Sequence, residues 1–150
     1  MSGLDDLYQQ IILDHAKARH GEGALDAESA HAERFERNPT CGDEVRLRIT
    51  IDGADVDRVG WEGQGCSISQ ASASILGQDV PGLSRAAAQD RVDAMRRMLR
   101  TRGEHDEADL ELLGDASSFE GVARFPMRVK CAMLPWVALE DTLRQVTARD

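Results

Sequence analysis

The chain has 150 residues, 41% hydrophobic and 30% charged, an ordinary globular composition that can bury a core without disulfide staples. Its 27 acidic side chains outnumber 18 basic ones, a formal charge of −9, which argues against nucleic-acid binding or anionic membranes, since both call for clustered Lys and Arg. No membrane span or signal peptide is visible, so a cytoplasmic protein of one domain, residues 1–150, is expected.

Leu4, Leu7, Tyr8, Ile11, Ile12 and His15 recur at three- and four-residue spacing, the pattern of an amphipathic first helix. It should end near His20-Gly21, with Gly at the C-cap. Residues 21–38 lack periodicity and read as an irregular, partly mobile connection. Glu44 to Ile51 alternates, with Val45, Leu47, Ile49 and Ile51 on one face, and predicts a half-buried strand. Asp52-Gly53 is a turn signal. Val56 to Glu62 returns as a second strand with Val59 and Trp61 inward. This hairpin brings Cys41 and Cys66 to one end of the sheet.

A helix rich in Ser and Ala follows Cys66 and carries Ile68, Ile75 and Leu76. Pro81-Gly82 breaks it. Ser84 then caps a long helix to about Arg102, with Val92, Met95, Met98 and Leu99 as its buried stripe. Residues 103–121 hold seven acidic side chains and read as a solvated connector with one helical turn around Leu110–Leu113. A last helix runs from near Pro126 to Val146, its apolar face formed by Val129, Ala132, Met133, Trp136, Leu139, Leu143 and Val146. Pro135 lies inside it and predicts a kink or loosened turn at Cys131, the residue four back. The order helix, hairpin, helices is α+β: a small antiparallel sheet packed against several helices.

Chemistry concentrates at Cys41, Cys66 and Cys131, the only cysteines. An odd count without secretory context argues against a disulfide framework. Cys41 and Cys66 follow turn or Gly-rich segments, where backbone can approach an ion closely. Cys66 also sits at a helix start, where the dipole favours thiolate. Asp43 supplies a fourth donor, and three thiolates with one carboxylate make a tetrahedral zinc shell. Arg128 or Lys130 could offset its negative charge. Each residue also has a plainer reading. Cys131 can be a buried packing residue, Asp43 a turn residue before a strand, and Arg128 a solvated side chain. His15, His20, His31 and His105 carry no comparable signal.

Three blocks taken together narrow these readings. They are Asn38-Pro39-Thr40-Cys41-Gly42-Asp43, Gly63-Gln64-Gly65-Cys66-Ser67-Ile68-Ser69, and Arg124-Phe125-Pro126-Met127-Arg128-Val129-Lys130-Cys131-Ala132. With Leu7-Tyr8, Ile11-Ile12 and Asp14-His15 ahead of them, they resemble the iron–sulfur assembly family that includes IscU and SufU. The resemblance covers nearly the whole chain and implies an IscU/SufE-like fold. IscU scaffolds carry a histidine immediately before the third cysteine, where this chain has Lys130. The segment between Cys66 and Cys131 is also longer than in those scaffolds. Both features are similar to the SufU branch.

That branch implies a zinc-dependent sulfurtransferase that takes persulfide sulfur from SufS, a pyridoxal-phosphate cysteine desulfurase, and passes it to downstream cluster-assembly proteins. By motif, Cys41, Asp43, Cys66 and Cys131 become zinc ligands, Cys41 the sulfur acceptor and Arg128 a supporting catalytic residue. The alternative is a scaffold on which the same thiolates hold a transient iron–sulfur cluster. A purely structural zinc module is a third reading.

Overall fold

A computed structural model describes residues 3–101 and 104–148. Helix α1 (Gly3–Ala18) precedes three strands, β1 (Ala32–Asn38), β2 (Asp43–Asp52) and β3 (Asp55–Gln64). Helices α2 (Ser67–Asp79), α3 (Arg85–Arg100) and α4 (Glu107–Leu113) follow, then a 3-10 segment (Gly114–Arg124) and helix α5 (Pro126–Ala148). The sheet is antiparallel in the order β1-β2-β3, so the α+β expectation holds. No helix among the described residues is long and apolar enough to cross a membrane.

The sheet buries one face because β2 alternates as its sequence requires: Val45, Leu47 and Ile49 point inward and meet Val56, Val59 and Trp61 of β3. Helices α2, α3 and α5 complete this core with Ile75, Leu76, Val92, Met95, Met98, Trp136 and Leu139, all buried. Small residues let α2 sit deep: Ala71, Ser72, Ala73 and Ser74 are buried. Ser84 caps α3 by accepting from the Ala87 N–H at 3.0 Å. Glu44 pairs with Gln64 at the open end of the hairpin, opposite its turn, and this is the end that carries Cys41 and Cys66.

Four expectations need correction. The connection over residues 21–38 contains strand β1, paired with β2 from Ala32↔Ile49 to Asn38↔Asp43. Its middle is Glu33-Arg34-Phe35-Glu36-Arg37, a charged edge of the kind that discourages pairing with other chains. Helix α1 ends at Ala18. Arg19, not a glycine, takes the positive φ of 49° that stops it, and its guanidinium stacks on Trp61, 4.9 Å from the ring centroid.

The acidic segment is not merely solvated. Leu113, Ala116, Phe119, Val122 and Ala123 are buried, and α4 with the 3-10 segment packs against α3. Helix α5 runs unbroken through Pro135. Beside the proline, Ser72 Oγ donates to the Ala132 carbonyl at 2.5 Å and accepts from Trp136 Nε1 at 3.0 Å. Ala132, Trp136 and Leu139 are buried on the same helix, so packing against α2 supports the helix on both sides of the proline. The apolar stripe of α1 is only partly covered: His15 is buried but Leu7 is exposed. Arg102 and the Leu4 side chain lie outside the described residues.

Candidate metal centre

Cys41 stands in the four-residue loop between Asn38 and Asp43, which face each other across β1 and β2. Gly42 takes a φ of 73° there, a conformation open to glycine and costly for a side chain. Asp43, first residue of β2, points inward. Cys66 is the N-cap of α2, with extended backbone at φ −73° and ψ 168°. Cys131 lies one turn and a half into α5. Three separate elements therefore present the donors at one end of the sheet.

The ligand atoms of Cys41, Asp43 and Cys131 all lie within 4.8 Å of one another. Cys41 Sγ and Cys131 Sγ are 3.6 Å apart. Cys66 Sγ stands outside that mutual group but 3.6 Å from Asp43 Oδ2. Two sulfurs bound tetrahedrally at zinc distances would be separated by about 3.8 Å, and a sulfur and a carboxylate oxygen by about 3.5 Å. The Cys41–Cys131 and Cys66–Asp43 gaps are close to such edges, while Cys66 Sγ would have to draw nearer to the other donors to complete the shell. Cys41 and Cys66 are exposed and Cys131 is buried, so the cluster has a closed floor and an open mouth.

Asp43 is 1% exposed. Its Oδ1 accepts the Cys66 N–H at 2.9 Å, which caps the start of α2 and leaves Oδ2 facing the thiols. Among the described residues no arginine, lysine or histidine pairs with it. A buried carboxylate beside thiols, without a cationic partner, is a setting that a metal ion fits. Burial, followed by contacts with Asp43 and Cys41, pushes the Cys131 thiol well above its ordinary range. That thiol loses its proton reluctantly by itself, and a cation beside it is what would compensate.

Gly65 makes the arrangement possible. A Cβ at that position would stand 2.1 Å from Asp43 Oδ1 and 2.9 Å from Ser69 Oγ. Asn38 is a further participant that sequence reasoning did not single out, although it opens the Cys41 block. It is 5% exposed, and its Nδ2 reaches Cys131 Sγ at 3.9 Å. Arg128 is exposed and lies over the Phe125 ring, 5.6 Å from its centroid. Together with Ser67, Ile68 and Tyr8 it lines a groove beside Cys66, but no hydrogen bond or ion pair joins it to the donors among the described residues. Lys130 is exposed and lines a small cavity with Thr40, Pro126 and Met127.

The histidines stand apart from the donors. His15 is buried between Ser74 Oγ at 3.0 Å and Asp115 Oδ2 at 2.9 Å, a bridge from α1 to α2 and the 3-10 segment. His31 Nδ1 accepts the Ile51 N–H at 2.8 Å. His105 contacts Thr101 Oγ1 at 3.0 Å.

Comparison with known proteins identifies the relatives of this chain. The NifU-like N-terminal domain family matches residues 7–132. The zinc-dependent sulfurtransferase SufU of Bacillus subtilis is 40% identical over 93% of this chain and 90% of its own length. The iron–sulfur cluster assembly scaffold protein IscU of Streptococcus pyogenes is 36% identical over 97% of this chain and 87% of its own. A crystal structure from Fervidobacterium islandicum, described as a candidate iron–sulfur cluster assembly scaffold for the SUF system, superposes with a TM-score of 0.77 at 35% identity, covering 89% of this chain and 94% of that one. The chain belongs to the NifU-like N-terminal domain family, the group that contains SufU and IscU.

Proposed function

We propose that this protein is a zinc-dependent sulfurtransferase of the SufU kind, acting in iron–sulfur cluster assembly. In this reading Cys41, Asp43, Cys66 and Cys131 are the metal ligands and Cys41 is the sulfur acceptor. The observation that carries it is the contrast within one donor cluster. Cys41 is exposed on a short loop, 3.6 Å from a Cys131 that is buried on a helix. Bound zinc would keep the thiols as thiolates and shield them from random oxidation.

The partner is a cysteine desulfurase of the SufS type, a pyridoxal-phosphate enzyme that carries a cysteine persulfide. Docking draws Cys41 out of the cluster, the loop turning about Gly42. The Cys41 thiolate attacks the terminal sulfur of that persulfide. A new S–S bond forms at Cys41, the desulfurase S–S bond breaks, and the desulfurase cysteine leaves as a thiolate. No external oxidant or reductant is needed. Cys131 is buried and Cys66 caps a helix, so neither can move out as Cys41 can. Arg128, exposed on the groove that Ser67 and Ile68 also line, steadies in this reading the negative charge that the incoming persulfide brings. The sulfur then passes to downstream assembly proteins. Three free thiols suit a reducing compartment such as the cytoplasm. The continuous core from Ala32 to Val146 supports treating residues 1–150 as one unit.

Cys41→Ser tests the reading directly. It removes the nucleophile while leaving Cys66 and Cys131 in place. Stimulation of desulfurase turnover is expected to fall to background, and full stimulation by the variant would contradict the assignment. The IscU relative keeps a second reading open, since the same thiols can hold iron and sulfide. Lys130, in place of the histidine that marks the scaffolds, favours the transferase. Tight zinc without cluster transfer to an apo-protein separates it from the scaffold.

A further inference from the structure

The loop that carries Cys41 is organised by Asn38. The Asn38 carbonyl accepts the Gly42 N–H at 2.8 Å, and its side-chain Oδ1 accepts the Thr40 N–H at 3.2 Å, a local turn of the kind asparagine favours. Because Thr40 donates an N–H, the atom facing it is the acceptor of the carboxamide, and Nδ2 must lie on the other side. There it reaches Cys131 Sγ at 3.9 Å. One buried side chain therefore ties the loop presenting Cys41 to the helix presenting Cys131.

A Cβ at Gly42 would meet nothing within 4 Å, and Cys41 itself is exposed. Beside the direct contact of the two sulfurs, the carboxamide is a second side-chain link, joining the loop of Cys41 to the helix of Cys131. We propose that Asn38 is the latch of this site: a positioning residue whose carboxamide holds the Cys41 loop against Cys131 and sets how readily Cys41 leaves the cluster for a persulfide. The inference rests on the reading of Cys41 as acceptor. Asn38 itself touches no reacting sulfur of the partner.

The test compares Asn38→Ala and Asn38→Asp with the zinc-loaded wild-type protein. The main-chain bond from Gly42 to Asn38 survives both changes, so the turn can still form. Two rates are read: release of zinc to a colorimetric chelator, and alkylation of Cys41 by iodoacetamide, measured by peptide mass spectrometry against Cys66 in the same sample. In Asn38→Ala both are expected to rise roughly fivefold to tenfold, the size of one lost hydrogen bond. Asn38→Asp keeps the acceptor for Thr40 but cannot donate to sulfur, so it should release Cys41 at least as fast as Asn38→Ala. Wild-type rates in Asn38→Ala, their restoration by Asn38→Asp, or an equal rise at Cys66 would overturn the latch. If the wild-type protein takes no sulfur from a desulfurase, the function assigned to Cys41 fails, while the alkylation comparison still judges Asn38 by itself.

Discussion

Asp43 does two things at once because a carboxylate has two oxygens. Oδ1 satisfies the Cys66 N–H and Oδ2 faces the cluster, so the residue that starts β2 also fixes the start of α2. Gly65 leaves room for it. Gly65→Ala would place a methyl group 2.1 Å from Asp43 Oδ1, at a φ of 149° that a side chain rarely adopts. The carboxylate must shift. Zinc affinity, measured by chelator competition, is expected to fall by about 10- to 100-fold, the range for losing a group that orients a ligand, and an unchanged affinity would contradict the role given to Asp43. The cysteines and the nearby acid were evident in the sequence as candidate donors, since two of the thiols stand in turn or helix-start contexts and the three motif blocks together resemble one family. Asn38 and Gly65 were not, because a supporting residue carries no metal-binding chemistry and shows itself only through distance.

Elements were legible where burial follows a period. Strand β2 alternates, and α3 buries Val92, Met95, Met98 and Leu99, so both were evident. Strand β1 was not: only its ends, Ala32 and Asn38, are buried, and its middle is charged edge with no apolar alternation to read. The acidic stretch hid its packing for a related reason. Its seven acidic side chains face outward or find partners, such as Asp109 with Arg97 at 2.8 Å, while its buried residues are mostly small. Leu113 and Phe119, both fully buried, are the exceptions, and Phe119 anchors the 3-10 segment. Phe119→Ala is expected to cost about 3–5 kcal/mol in urea unfolding. A cost below 1 kcal/mol on the same scale would mean that the segment is the solvated connector its composition suggests. Pro135 lies within a helix that continues on both sides of it, and packing against α2 supports the turns around it.

Across the whole molecule, the net charge of −9 leaves stability exposed to pH through a few paired carboxylates. Glu140 joins α5 to α3 by accepting from Arg96 at 2.8 and 3.1 Å and from Gln89 at 3.0 Å. The Arg96 guanidinium holds the Glu140 carboxyl below its ordinary range. A carboxyl whose folded pKa is lowered adds stability that is present above its unfolded value and lost as pH falls through the folded one. Glu140→Gln should therefore destabilise the protein by about 1–2 kcal/mol at neutral pH. The gap should close as the pH falls from the ordinary carboxylate range through the lower folded one. A gap independent of pH, followed by thermal melting, would place the effect in packing instead.

The helices and sheet have a common outcome at this scale, which is to bring sulfurs from distant parts of the chain to one open mouth with Cys41 foremost. Incubation with a cysteine desulfurase and free cysteine, followed by peptide mass spectrometry, reads that outcome most directly. The account requires the mass of one added sulfur atom on the Cys41 peptide and none on those of Cys66 or Cys131 at early times. An adduct that appears first on another cysteine, or on none, would contradict it.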